Sequence, residues 1–259
     1  MTVKELLILG GTGEASTLAR AVLARFGEAL NLTTSLAGRT RRPAPLPGRI
    51  RVGGFGGAAG LAAYLTEHGV DRLIDATHPF AARISTAARL ACEEARVPRL
   101  LLLRPSWRRH PLDRWIEVDS TAAAAEIVGG FGRRAFLTVG AGEVSCFAAA
   151  TGVHFLVRLI DPPKRPLPLR CYDVVIGRGP FAVVEERHRL ERHAIDVLVC
   201  KASGGAATEA KILAARELGL PVIMVQRPPL EPGDAVETVE AAIDWLASDH
   251  PFPRVERVS

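Results

Sequence analysis

Short apolar runs alternate with amphipathic stretches along the first hundred residues. Runs typical of strands lie at 3–9, 31–37, 50–52, 71–75 and 99–103. Helical patterns, with apolar residues on one face, follow residue 13 and occupy 58–68 and 81–95. This alternation predicts βαβ units and therefore a parallel sheet.

The same alternation returns in the second half of the chain. Predicted strands lie at 115–118, 135–139, 154–160, 173–176, 195–200 and 221–225. The strand at 221–225 is expected to close the sheet. Predicted helices lie at 120–128, 182–193, 208–218 and 236–247. The Pro-containing stretch 104–114 separates the halves. We therefore expect an α/β protein with two Rossmann-like, doubly wound parallel-sheet domains, 1–103 for the nucleotide and 104–259 for the substrate, with a cleft between them. An exchange of strands between the halves would leave no sign in the sequence.

The first strand runs directly into a glycine loop. Gly11, Thr12, Gly13 and Glu14 lie where the strand gives way to a helix, so free N–H groups there can meet a phosphate. Ser16 stands where a dinucleotide loop usually has a third glycine. The loop therefore predicts a nucleotide site, and the alternative is an ordinary glycine-rich turn.

The end of the second predicted strand is basic rather than acidic. NAD-specific folds carry an Asp or Glu about 20 residues past the glycines, but no acidic residue occurs between Glu28 and Glu67. Ser35, Gly38 and Arg39 lie at this position, where hydroxyl and guanidinium groups suit a 2′-phosphate. NADP is therefore the favoured nucleotide, with a solvated basic loop as the alternative.

Two more loops follow predicted strands of the first domain. Gly54 and Phe55 belong to a glycine-rich stretch that would let the backbone approach a flat ring, although a flexible loop is also open. Thr77 and His78 follow the fourth strand, at the sheet edge where ligands bind in open α/β folds. A capping or merely polar histidine is the alternative.

Composition and charge narrow the function class. The chain has 259 residues and a net charge of +5, which favours an anionic partner. Its few aromatic residues are not interleaved with the basic ones, which disfavours a nucleic-acid surface. The partner is therefore expected to be an acidic small molecule. No apolar run reaches the ~18 residues that span a bilayer. The cysteines are scattered singly, without metal-ligand spacing, so we expect no metal site and a cytoplasmic protein.

Taken together, the loops resemble one family, the precorrin-6A reductases of cobalamin biosynthesis. The segments that carry the resemblance are 9–15, 35–39, 53–57, 75–81, 177–181 and 201–205, in the family's order. The most specific combination is Asp-Ala-Thr-His-Pro-Phe-Ala at 75–81 with Lys-x-Ser-Gly-Gly at 201–205. Ala202 departs from the pattern, since a polar residue such as Asn is expected there.

The resemblance implies NADPH-dependent reduction of one double bond of precorrin-6A, a tetrapyrrole with many carboxylates, to give precorrin-6B. Neighbouring pathway enzymes are then candidate partners. The proton donor stays open between Lys201, His78 and a water molecule, and Lys201 can instead pair with a substrate carboxylate. The candidate substrate-binding residues are Arg104, Arg178, Arg187, Ser203, Gly204 and Gly205.

Two rival functions make different demands on the sequence. A short-chain dehydrogenase needs Tyr-x-x-x-Lys, but Tyr64 and Tyr172 are followed four residues later by His68 and Ile176. A non-catalytic NADP sensor or scaffold would bind nucleotide without turnover, and it would have no use for Lys201 and the glycine loop 202–205 that follows it.

Overall fold

The structure, a computed structural model, describes residues 4–38 and 45–248. Within them the strands are β1 (Lys4–Leu9), β2 (Leu30–Leu36), β3 (Arg49–Val52), β4 (Arg72–Asp75), β5 (Arg99–Leu102), β6 (Arg114–Val118), β7 (Arg134–Leu137), β8 (His154–Leu159), β9 (Tyr172–Ile176), β10 (Val197–Lys201), β11 (Pro221–Val225) and β12 (Asp234–Val236). The α-helices are α1 (Gly13–Phe26), α2 (Ala58–Glu67), α3 (Ala82–Ala95), α4 (Thr121–Ile127), α5 (Val183–Arg192), α6 (Ala210–Glu217) and α7 (Val239–Ala247). Short 3-10 segments cover Gly27–Ala29, Val128–Gly130, Ala141–Ala149 and Ala206–Thr208.

The strands form two six-stranded sheets, and every pairing in both is parallel. The first sheet has the order β3-β2-β1-β4-β5-β12, and the second has the order β9-β8-β7-β10-β11-β6. In the first sheet, the chain starts near the centre at β1, moves to the edge at β3 and then returns to build the other half, which is the Rossmann-like arrangement. Strands β7 to β11 repeat this order in the second sheet, where β6 lies at the edge next to β11. The predicted fold class, α/β with two Rossmann-like parallel sheets, is confirmed.

The chain divides into two compact units. The first unit contains the described residues up to Arg104 and those from Pro229 onward, and the second unit contains Pro105–Pro228. The predicted second domain, 104–259, differs from this at its C-terminal end. The last strand and helix belong to the first unit.

The returning segment is integrated into the core of the first unit. β12 pairs with β5, with Asp234 opposite Leu100, and Trp245 of α7 shares a buried apolar cluster with Leu18 of α1. The buried Arg72 donates to the carbonyl oxygens of Trp245 and Leu246, at 2.6 and 3.0 Å, and so caps the end of α7. β12 is not predicted from the sequence, because a three-residue strand in a polar stretch shows no period-two pattern. Val236, predicted to start a helix, ends this strand.

The second sheet also differs from the prediction at one edge. β11 was expected to close the sheet, but it lies between β10 and β6. The first strand of the unit, β6, takes the outer position that β12 takes in the first sheet. No helix in the described part of the chain is long and apolar enough to cross a bilayer.

Candidate functional site

The first glycine loop is held at the carboxyl ends of three neighbouring strands. The N–H of Gly10 donates to the carbonyl of Ser35 on β2, at 2.9 Å. Thr12 is the N-cap of α1: its Oγ1 accepts from the N–H of Ala15 at 3.1 Å and donates to the carbonyl of Ala76, after β4, at 2.8 Å. One hydroxyl therefore starts the helix and ties the loop to β4.

The glycines of this loop face open space. Gly11 has φ +108°, a conformation that residues with a Cβ rarely adopt. A Cβ built on Gly11 or Gly13 would meet no described atom within 4 Å. The first turn of a helix also leaves N–H groups without intrahelical partners, so the loop combines free donors with room for an anion.

The structure brings together two predicted site residues that lie 90 positions apart in the chain. Arg104 Nη2 donates to Glu14 Oε2 at 2.6 Å. Glu14 lies in the first turn of α1, and Arg104 lies just beyond β5. The Arg104 side chain is only 10% exposed, and its Nε is buried without a hydrogen-bond partner among the described residues.

The glycine-rich stretch 53–57 is organised by an arginine that was assigned no role from the sequence. Arg51 donates to the carbonyls of Gly53 and Gly54 at 2.7 and 2.9 Å. Its guanidinium lies 3.7 Å from the ring centroid of Phe55, which makes a T-shaped contact with the ring of Tyr64. The ring of Phe55 is therefore held between protein groups, whereas a Cβ on Gly54 would meet no described atom within 4 Å.

The end of β2 is described only in part. Ser35 is buried, and its neighbour Thr34 is fully buried. Gly38 has φ +69° and lies close to Val52, because a Cβ there would be 3.1 Å from Val52 Cγ1. Arg39, the basic residue expected to contact a 2′-phosphate, lies outside the described residues together with 40–44.

The turn after β4 is shaped by a buried carboxylate. Asp75 is 4% exposed, and its Oδ1 accepts from both the N–H and the Oγ1 of Thr77, at 3.1 and 2.7 Å. Thr77 thus shapes the turn that presents His78. The His78 Nδ1 accepts from the N–H of Phe80 at 3.2 Å, so a neutral ring carries its proton on Nε2.

In the second unit, Lys201 is ion-paired with a residue that the sequence analysis did not single out. Lys201 ends β10, and its Nζ contacts Glu143 Oε2 in the 3-10 segment that follows β7. Glu143 Oε1 also accepts from Thr121 Oγ1 at 3.4 Å. Glu143 follows the predicted strand 135–139 by four residues, but no spacing signal in the sequence connects it with Lys201.

The loop after Lys201 is fixed by its own unit. Arg227 donates to the carbonyls of Ala202 and Ser203, at 2.7 and 3.0 Å. Ser203 is buried, and the side chain of Ala202 packs against the apolar core. The arginine was assigned no role from the sequence, yet it holds two successive backbone carbonyls of the loop.

The two glycines of this loop lie against the start of the second unit. Gly204 has φ +67°, and a Cβ there would be 2.1 Å from the carbonyl oxygen of Pro105. The N–H of Gly205 donates to the same oxygen at 3.1 Å, and Trp107 Nε1 donates to the carbonyl of Gly205 at 2.9 Å. Gly204 is therefore required for close packing of the backbone.

The remaining predicted arginines have different environments. Arg178 is exposed in the loop after β9. Arg187 lies on α5, and its guanidinium is 3.1 Å from Glu191 and 4.0 Å from Glu217. Glu191 and Glu217 lie in the last turns of α5 and α6, the helix ends that lead to the starts of β10 and β11, so the environment of Arg187 gives no support to its predicted role.

A buried cluster supports the loop that carries Arg178. Arg158 of β8 pairs with Glu186, which is fully buried and also pairs with Arg189. Burial lowers the pKa of Arg158, while the Glu186 carboxylate opposes that shift. The Arg158 guanidinium lies 4.1 Å from the ring centroid of Phe181, so the cluster anchors the end of the loop.

The cysteines offer no activated thiol in the buried interior. Burial raises the pKa of Cys92 to about 12 and that of Cys200 to about 11. Cys146 and Cys171 are exposed and free. Across the described ranges, no group of three His, Cys, Asp or Glu side chains is arranged to hold a metal ion.

Comparison with known proteins agrees with this arrangement over nearly the whole chain. The profile of the family "Precorrin-6x reductase CbiJ/CobK" matches residues 5–247. The chain is 46% identical over 244 residues to the precorrin-6A reductase of Rhodococcus erythropolis, covering 94% of this chain and 97% of that protein. It is 45% identical over 249 residues to the precorrin-6A reductase of Rhodobacter capsulatus, covering 96% and 98%.

A solved structure described as "CobK precorrin-6A reductase" superposes with a TM-score of 0.90 at 44% identity, and the match covers 97% of this chain and 99% of that one. Similarity of this extent includes both sheets and all of the loops described above. The chain therefore belongs to the precorrin-6x reductase CbiJ/CobK family.

Proposed function

We propose that this protein is a precorrin-6A reductase, which reduces one double bond of the macrocycle with NADPH to give precorrin-6B. The observation that carries the proposal is the first glycine loop, with donors and open space at the start of α1, in a chain 45–46% identical over nearly its full length to two precorrin-6A reductases. When bound, NADPH supplies a hydride, and the substrate carbon next to the one that receives it takes up a proton.

The protein's groups at the first loop fit a dinucleotide. Gly11 and Gly13 leave room for phosphate oxygens, and the helix dipole of α1 favours an anion at its N-terminus. The absence of acidic residues between Glu28 and Glu67 favours NADP over NAD. Ser35, Gly38 and Arg39 remain our candidates for the 2′-phosphate, and Gly54 and Thr77 for other parts of the cofactor.

Lys201 is our candidate for the proton donor. Its side chain is 14% exposed and pairs with Glu143, so the ammonium is held in one place at the end of β10. A positioned general acid contributes about 10²–10⁴ in rate. His78, with its proton directed to Nε2, is the alternative donor, and a water molecule is a third.

The loop 202–205, which follows Lys201, is our candidate for binding the acidic macrocycle. Ser203, Gly204 and Gly205 form a rigid turn, and Arg178 offers an exposed guanidinium in the neighbouring loop. The positive net charge of the chain favours a polyanionic ligand. We do not include Arg187, because its guanidinium already pairs with carboxylates of the helix surface.

The proposal is tested with purified protein, metal-free precorrin-6A and either NADPH or NADH, by following nicotinamide absorbance and the pigment spectrum together. We expect NADPH oxidation matched one to one by the pigment change, with NADH much poorer. Tight NADPH binding without oxidation would refute the reductase and favour the non-catalytic sensor.

Variants separate the candidate donors. Lys201→Ala is expected to lower kcat by at least ~100-fold, and Glu143→Gln by a smaller factor, because it leaves the lysine in place but no longer charge-paired. Lys164→Ala, at an exposed position of the same unit, is the matched control and should retain full activity. Full activity of Lys201→Ala would exclude Lys201 as the donor and leave His78→Ala as the next test.

A further inference from the structure

Glu14 introduces a negative charge where the proposed cofactor would place its phosphates. It is the second residue of α1, two positions after the N-cap Thr12. A carboxylate in the first turn is favourable for the isolated helix, but it repels any anion bound at the same turn. Arg104 compensates this charge directly, with Nη2 at 2.6 Å from Glu14 Oε2.

The guanidinium of Arg104 is only partly used by this contact. In arginine the Nε–H and one Nη2–H point the same way and together form an edge that binds two oxygens of a carboxylate or phosphate. Glu14 accepts from Nη2, whereas Nε is buried and has no hydrogen-bond partner within residues 4–38 and 45–248. A buried donor without an acceptor is unfavourable, so Nε is the donor of this side chain that an added anionic oxygen would satisfy once the side chain shifts to admit it.

Arg104 lies on the side of the first unit where the first glycine loop begins α1. Arg104 follows β5 by two residues, and β5 is separated from β1 only by β4. The contact with Glu14 then fixes the guanidinium beside the first turn of α1. The side chain is nine-tenths buried, which suits one fixed contact better than a flexible surface group for macrocycle carboxylates.

We propose that Arg104 binds the cofactor and not the macrocycle: its Nε donates to a pyrophosphate oxygen at the start of α1, and Glu14 is the positioning residue that orients the guanidinium. This assignment rests on the proposed NADPH-dependent function. It replaces the substrate-carboxylate role predicted for Arg104 from the sequence.

The experiment measures binding of NADPH and NADH by calorimetry in the absence of macrocycle, for the wild type, Arg104→Met, Glu14→Gln and the double variant. Arg104→Met is expected to raise both dissociation constants at least tenfold, about 1.4 kcal/mol, because it removes a donor and leaves Glu14 uncompensated. Glu14→Gln should leave binding unchanged or tighter. The double variant should lose less cofactor affinity than Arg104→Met alone, and the difference measures the coupling between Glu14 and Arg104.

Arg25→Met is the matched control, since it removes one positive charge from the exposed surface at the other end of α1. It should change neither dissociation constant by more than about twofold, a shift of about 0.4 kcal/mol. Circular dichroism verifies folding of each variant. If Arg104→Met does not fold, Arg104→Lys replaces it, because lysine keeps the charge but lacks the two-donor edge, and it should still weaken both cofactors.

Each contrary outcome has a distinct meaning. Wild-type protein that binds neither cofactor would refute the proposed function itself. If the wild type reduces precorrin-6A normally and Arg104→Met binds both cofactors as tightly as the wild type, only this inference fails. If Arg104→Met raises the KM for precorrin-6A but leaves cofactor binding unchanged, Arg104 binds the macrocycle. If Arg104→Met weakens the binding of NADPH but not that of NADH, Arg104 binds the 2′-phosphate. Either result overturns the pyrophosphate assignment.

Discussion

Replacing Gly204 with alanine tests whether the loop 202–205 depends on the close approach of its backbone to that of Pro105. Gly204 has φ +67°, and a Cβ there would lie 2.1 Å from Pro105 O and 2.4 Å from Arg227 Nη2. A flexible side chain can move aside, but the carbonyl of Pro105 also accepts from the N–H of Gly205. The loop must therefore shift and lose contacts.

The expected loss follows from three contributions. A left-handed conformation costs an alanine about 1 kcal/mol. The shift breaks the hydrogen bonds from Gly205 N–H to Pro105 O and from Trp107 Nε1 to Gly205 O, at about 1 kcal/mol each. Gly204→Ala should then lower the free energy of unfolding of the second unit by about 3 kcal/mol, summed from those costs.

Gly219→Ala is the matched control. Gly219 has φ +62°, but a Cβ there would meet no described atom within 4 Å, so only the conformational cost of about 1 kcal/mol applies. Urea unfolding in a Trp245→Phe background reports on the second unit alone, because the remaining tryptophans are Trp107 and Trp115.

Activity gives the second measurement for this variant. Gly204→Ala should lower kcat/KM for precorrin-6A at least tenfold, about 1.4 kcal/mol. It should leave the dissociation constant of NADPH unchanged, because the glycine loop proposed to bind the cofactor belongs to the first unit. Equal destabilisation by Gly204→Ala and Gly219→Ala, with activity retained, would refute the reasoning.

Two further variants test the first unit. Thr12→Val removes both hydrogen bonds of the capping hydroxyl, to Ala15 and Ala76, and should cost about 2 kcal/mol in chemical denaturation; a loss below about 0.5 kcal/mol would contradict the double role of this side chain. Glu231 accepts from Thr86 Oγ1 and Arg89 Nε, and these hydrogen bonds lower its pKa. Its contribution to stability is therefore full above the unfolded pKa of about 4.3 and is lost as the pH falls through the lowered folded value. Glu231→Gln should destabilise the protein by about 1 kcal/mol at pH 7, with a difference from wild type that narrows on acidification; a difference independent of pH would show that the carboxylate charge is irrelevant.

The parts of the fold and site that could be predicted are those encoded locally. β1, the glycines after it and α1 form a continuous pattern of strand, turn and helix, and Lys201 lies at the end of an apolar run followed by glycines. Such signals depend on neighbours in sequence, so the loops at the strand ends could be identified before their positions in space were known.

The parts that could not be predicted depend on partners distant in sequence. Glu143 is one acidic residue among many until β7 and β10 pair and bring it to Lys201. Arg51 resembles an exposed basic residue of a short strand, although it holds the 53–57 loop. The pairing of Glu14 with Arg104 requires the order β1-β4-β5, which no local pattern specifies.

The return of β12 and α7 to the first unit also determines the order in which the chain can fold during synthesis. The second unit is continuous, Pro105–Pro228, and all its strands are available before the ribosome has made β12. The first unit begins earlier but must wait for Trp245 and its neighbours, which complete the apolar cluster around Leu18. The unit made first is therefore finished last, and a chain that terminates before Pro229 would leave β5 as an open sheet edge and part of α1 uncovered, a state prone to aggregation.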